Sequence, residues 1–84
     1  MEIVWDEPKR RGNLDKHGLD FADLNETFFD NALVVPSHNK SRRWVAIGVN
    51  IRGVVVVARL GGEGVSIISM RPASKDERKR YAER

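Results

Sequence analysis

The stretch "SMRPASKDERKRYAER" at 69–84 gathers the side chains best suited to chemistry. Arg71 carries a guanidinium fork that fits a phosphate in two-point geometry. It fits a carboxylate at a helix terminus equally well. Glu77 and Arg78 stand four and three residues before Tyr81, so on a helix the three lie on neighbouring strips. There Glu77 can take a proton, Arg78 can add a second positive charge, and Tyr81 can stack or hydrogen-bond. Plainer roles compete with each of these. Ser74 and Glu77 have capping-box spacing, and Tyr81 is the one large ring able to anchor such a helix.

A second group sits near the other end. In "DKHGLDF" (15–21), His17 supplies an imidazole, the side-chain type suited to a proton carrier. It also falls in the last turn before Gly18, where a helix favours a cation and free donors, and this cap reading is preferred. Lys9, Asn13 and Lys16 follow at i, i+4 and i+7 as one polar stripe. Arg59 falls in a strand between small neighbours that leave it room to reach a polyanion. His38, in a polar loop after Pro36, is given no role. With no cysteine, two histidines and no HxxxH-like cluster, no metal site is expected. No phosphate-cradling glycine loop, nucleophile elbow or other cofactor motif occurs, so no cofactor is expected either.

The charge points the same way as the residues. Fifteen Lys and Arg oppose twelve Asp and Glu, and the basic excess collects in "KRR" (9–11), "KSRR" (40–43) and the tail 75–84. Such clusters suit a polyanion partner, although a solvated basic surface has the same composition. No apolar run approaches the roughly 20 residues of a membrane span, and the acidic start does not resemble a signal peptide. A single domain over residues 1–84 in the cytoplasm is expected.

These residues must be positioned by a small set of elements. Ile3–Trp5 reads as a strand. Asp6 and Pro8 open a helix over 7–17 that Gly18 closes. Asp20 can cap a second helix, with Phe21, Leu24 and Phe28 on one stripe. Strands are expected at 32–35, 43–51, 54–60 and 65–70, with turns at Arg52-Gly53 and "GGEG" (61–64). Alternation then puts Val45, Ile47, Val49, Val54, Val56, Ala58, Val65 and Ile67 on the core face. Trp44, Ala46, Gly48, Val55, Val57, Arg59, Ser66, Ile68 and Met70 take the other. Ser74 caps a third, highly charged helix. The class is α+β: a small, mostly antiparallel sheet of four to five strands, two N-terminal helices and one C-terminal helix, with the helices on one side.

Taken together, "WDEPKRRGNLDKHGLDFADLNETFFDN", "RWVAIG" and "IISMRPASKDERKRYAE" resemble the BrnT family of bacterial toxins over nearly the whole chain. The resemblance implies a RelE-like fold and a ribonuclease that arrests growth. It also implies a cognate BrnA-like antitoxin with a ribbon-helix-helix segment, through which the complex reaches operator DNA. On this reading Arg71, Glu77, Arg78 and Tyr81 are the catalytic candidates, and Arg59, Lys16 and Lys9 are RNA-binding. RNA supplies its own 2′-hydroxyl nucleophile, so such an enzyme needs no metal and no cofactor. Two positions depart from the family pattern: Ala58 and Ser66 stand where a polar or histidine residue and a basic residue are usual. They motivate an alternative, a catalytically weak or inactive toxin-fold protein that acts by binding its antitoxin and repressing its operon.

Overall fold

The computed structural model describes residues 1–37 and 42–84, so His38 and Lys40 lie outside it. Five strands form one sheet: β1 (Ile3–Trp5), β2 (Leu33–Pro36), β3 (Arg43–Asn50), β4 (Gly53–Gly61) and β5 (Val65–Pro72). Their spatial order is β1-β5-β4-β3-β2. The pairs β2–β3, β3–β4 and β4–β5 are antiparallel, as short connections dictate, and β1 joins β5 in parallel. Helix α1 (Glu7–His17) has Pro8 in its first turn and ends at Gly18, whose φ of 67° is the left-handed conformation that glycine adopts freely. Helix α3 (Lys75–Glu83) begins with the expected capping box.

The second helix is broken. Asp20 caps only a 3₁₀ turn over Phe21–Asp23, accepting a hydrogen bond from the Ala22 N–H. Leu24 is extended, and Asn25 starts α2 (Glu26–Asn31) by accepting from the Phe28 N–H at 2.8 Å. A short polar side chain that satisfies the next backbone donors lets the chain restart a helix. Phe21, Leu24 and Phe28 are buried all the same, so the apolar stripe survives the break.

The two faces of the sheet differ from the expected alternation. The main core joins Leu19, Phe21, Leu24, Phe28 and Phe29 to Ala46, Val55, Val57, Val65, Ile67 and Met70. Ile47 and Val56, assigned to that core by alternation, instead form a second cluster with Ala73, beside Tyr81 and Val45. A bulge in β5 is what separates Val65 and Ile67 from Ile47 and Val56 and sets them beside Val55 and Val57. Ala58 pairs with Ser69 but Arg59 pairs with Ile67, so Ile68 has no partner and the alternation of β5 slips by one. The run Val54–Val57 carries no polar residue to mark its phase. The helices also divide: α1 and α2 cover one face, and α3 lies across the other. On the covered face Gly48 lets the Phe28 ring approach so closely that an added Cβ would lie 2.7 Å from it.

Beyond Trp5, β5 loses its parallel neighbour and its edge is exposed. Asn13 of α1 fills the gap. Its Oδ1 accepts from the Met70 N–H at 3.0 Å and its Nδ2 donates to the Leu19 carbonyl at 3.2 Å. Arg10 adds a second tie, bridging Glu7 and Asp20. Asn13→Ala leaves the Met70 N–H and the Leu19 carbonyl unpaired, and should lower unfolding free energy by about 1–3 kcal/mol in a urea titration. An unchanged midpoint would contradict this account of the edge.

Candidate functional site

The site is built where β5 becomes α3. Arg71 pairs with Val56 across the ladder and projects on the α3 side of the sheet. The Ala73 N–H donates to the Val54 carbonyl at 3.1 Å, tying the turn to β4. Ser74 Oγ accepts from the Glu77 N–H at 3.2 Å, and Glu77 Oε1 accepts from the Ser74 N–H at 2.9 Å. The same carboxylate takes Arg71 end-on, with Nη1 to Oε1 at 2.7 Å and Nη2 to Oε2 at 2.8 Å. Arg71 Nη1 also donates to its neighbour's carbonyl, Pro72 O, at 3.3 Å.

A guanidinium has five N–H donors in a fixed plane. Three are used here, leaving the Nε–H and one Nη2–H on the adjoining edge. That edge is itself a two-point fork, and the Arg71 side chain is 47% exposed. Glu77 is held down to a pKa of about 2, chiefly by the hydrogen bond from Arg71, with the Ser74 backbone donor helping and partial burial opposing. The same bond raises Arg71. A carboxylate so stabilised is a weak base.

The remaining members of the C-terminal cluster differ in freedom. Arg78 is exposed on the first turns of α3. Tyr81 is half-buried against the Ile47–Val56–Ala73 cluster, and the Arg84 guanidinium lies 3.9 Å from its ring centroid. Arg84 also donates to the Tyr81 hydroxyl at 3.2 Å. Glu77 therefore completes the capping box and Tyr81 pins the helix, as the plainer readings had it.

The other sequence candidates stand elsewhere. Lys9 and Lys16 are exposed on α1, in the layer on the opposite side of the sheet from α3. Arg59 faces that same layer, toward the far end of the strands from the β3–β4 turn. Its guanidinium carbon sits 5.5 Å from the Phe29 ring centroid. Burial lowers its pKa, and its Nε has no partner among the described residues. His17 is half-buried in the last turn of α1, where the Gly18 N–H itself closes the helix on the Leu14 carbonyl at 2.8 Å. Thus Arg71 and Glu77 are in direct contact, Arg78 and Tyr81 follow Glu77 on the same helix, and Arg59, Lys9 and Lys16 lie on the opposite side of the sheet. Asn50 was missed. It stands at the end of β3 with its side-chain N–H₂ buried and unpaired among the described residues, and an Asn before a turn signals only the turn.

The depressed Glu77 pKa has a consequence for stability. A carboxylate whose folded pKa lies below its ordinary value of 4.5 stabilises the fold above that value and loses the contribution as pH falls toward about 2. Glu77→Gln should therefore cost about 1 kcal/mol at neutral pH, the scale of a well-formed exposed ion pair. The gap to the parent should close between pH 4.5 and 2 in denaturant titrations. A gap constant across that window would contradict the pairing.

Comparison with known proteins places the chain in a family. The family model for "Ribonuclease toxin, BrnT, of type II toxin-antitoxin system" matches residues 5–77. The chain is similar to the crystal structure of the Brucella abortus ribonuclease toxin BrnT, with 49% identity and a TM-score of 0.79. The match covers 89% of this chain and 99% of that one. No curated protein matches. A family model over most of the chain and a solved relative at this identity agree, and the chain belongs to the BrnT family of ribonuclease toxins of type II toxin–antitoxin systems.

Proposed function

We propose that this chain is an endoribonuclease that works without a metal ion, gripping the scissile phosphate with the free edge of Arg71. The observation that carries the reading is the division of the Arg71 donors. Glu77 fixes the guanidinium end-on, and the Nε–H/Nη2–H edge is left for a phosphate. The substrate's 2′-oxygen attacks phosphorus and the bond to the 5′-oxygen breaks. The proton leaving the 2′-hydroxyl is matched by one delivered to the 5′-oxygen, and a 2′,3′-cyclic phosphate remains. Arg71 and Arg78 stabilise the charge that gathers on the phosphoryl oxygens. Glu77, too weak a base at a pKa of about 2, acts as a positioning residue for Arg71 rather than as a proton acceptor, one of the two roles its place in the sequence allowed. Tyr81 offers its ring edge and hydroxyl beside the phosphate. Arg59, Lys9 and Lys16 serve, in this reading, as distant contacts for a longer RNA.

A type II system implies an antitoxin partner. The finer reading is a BrnA-like, ribbon-helix-helix antitoxin that covers this basic end in the cytoplasm and carries the complex to operator DNA. Among the described residues no helix is long and apolar enough to cross a membrane. Two observations favour the weaker alternative, a toxin-fold binding protein with little activity: Glu77 cancels much of the Arg71 charge, and Arg84 covers a Tyr81 face.

RNA cleavage and growth arrest separate the two. Cleavage should continue in excess chelator and fall by about 10²–10³-fold in Arg71→Ala, the scale of losing one preorganised charge stabiliser. Arg71→Lys keeps the charge without the fork and should recover only part of the loss. Expression of Arg71→Ala without antitoxin should no longer arrest growth. Cleavage persisting in Arg71→Ala combined with Arg78→Ala would remove the assignment. A tight antitoxin complex with no cleavage by the parent would establish the binding role.

A further inference from the structure

One cleft lies at the hairpin end of the sheet, beyond Arg71 and Glu77, and shares only Tyr81 with the proposed phosphate grip. Strand β2 begins opposite Ile47, so the last residues of β3 have no strand on that side. The gap between α2 and Tyr81 of α3 forms a cleft of about 390 Å³. That is near the lower end of the roughly 300–1,000 Å³ of small-ligand sites. Phe28, Ile51 and Tyr81 give it apolar walls, and Asp23, Asn31 and Asn50 give it polar groups.

The state of those polar groups is informative. Asn50 Oδ1 accepts from the Arg52 N–H at 2.7 Å, which fixes the orientation of the amide. Its Nδ2 is buried and has no partner among the described residues. An orphaned buried donor is uncommon in a folded protein and costs stability unless something else uses it. Asn31 spends its Nδ2 on the Thr27 carbonyl at 2.9 Å, which leaves its Oδ1 as an acceptor. The cleft therefore presents one donor amide, one acceptor amide and the Asp23 carboxylate between aromatic walls.

We propose that this cleft is a nucleobase subsite, preferring guanine, that sets the sequence preference of cleavage; this rests on the RNA-cleaving reading. Guanine places two adjacent donors, N1–H and N2–H₂, where a carboxylate can take both, and its O6 accepts from Asn50 Nδ2. Adenine and cytosine offer one exocyclic donor group beside a ring acceptor, and uracil offers a single donor between two acceptors. None of the three fills the same set. Tyr81 joins the subsite to the phosphate grip, since it lines the cleft one helical turn beyond Glu77. An unpaired base can then sit between the helices while its 3′-phosphate reaches Arg71.

The test is an NMR titration of the labelled protein with the four nucleoside 3′-monophosphates. Guanosine 3′-monophosphate should bind at least about fivefold more tightly than the others and shift the Asn50 side-chain N–H₂ signals. Asn50→Asp keeps the acceptor for the Arg52 N–H and replaces the donor. It should weaken guanosine 3′-monophosphate by about tenfold and leave the other three unchanged. Equal affinities, no binding, shifts remote from Asn50 and Tyr81, or an unaltered guanosine affinity in Asn50→Asp would each overturn the subsite. Arg71→Ala should weaken all four alike without changing their order. If it changes none of them while the guanine preference holds, the phosphate assignment fails and the base subsite stands.

Discussion

A single extra residue in β5 decides where the chemistry points. With strict alternation from Ile67, Arg71 would turn toward α1 and α2, into the layer filled by Phe21 and Phe28. Because Ile68 has no partner in β4, Met70 enters that layer instead and Arg71 emerges on the α3 side. The bulge holds because both flanks are secured. Val65 and Ile67 are locked into the main core beside β1, and Asn13 reaches from α1 to the Met70 N–H. Bulges re-aim side chains wherever they occur. Here the re-aimed residue is the one that a phosphate reader needs.

What the bulge presents, Glu77 fixes. Its carboxylate accepts from Arg71 at the end of a strand and from Ser74 at the start of a helix. One anion thereby closes the capping box and sets the angle of the guanidinium. Helix α3 has little else to hold it, since Tyr81 is its only large apolar group in contact with the sheet. Orientation of Arg71 and seating of α3 are therefore coupled, and loss of one partner disturbs both. Such coupling lets a small domain hold a side chain still with few buried contacts.

The parts of this arrangement that could be read from sequence are those made by neighbours in the chain. Gly18 closing α1, Pro8 in its first turn, and Ser74 with Glu77 at the start of α3 each depend on spacings of a few residues, and each is in place. The grouping of Arg71, Glu77, Arg78 and Tyr81 was legible for the same reason: one strand end and one helix hold all four. Long-range features were not legible. Val54–Val57 is apolar at every position, so neither face could be told from the other, and an unpaired Ile68 looks like any isoleucine in a strand. Arg59 looked free in an alternating strand but is stacked on Phe29, a contact that only the packing of α2 creates. Leu24 kept a helical spacing although the helix stops there, because Asn25 offers the backbone a better partner.

On the proposed function, charge bears on how RNA is drawn to an Arg71 already paired with Glu77. Residues 71–84 contain six basic and three acidic side chains, an excess of +3 equal to the net charge of the whole chain. The field that draws a polyanion therefore comes from this one end, while the remainder is balanced. The Arg71–Glu77 pair adds little to that field, and its contribution is geometric: a fork already oriented when the phosphate arrives, at no further cost in side-chain order. The surrounding cations Lys75, Arg78, Lys79 and Arg80 supply the attraction, on exposed side chains that salt screens. Across the hairpin end, Asp23, Glu26 and Asp30 line the α2 side with the opposite sign. On the proposed reading, this separation of charge orients a nucleotide before any specific contact forms, its phosphate toward α3 and its base toward α2.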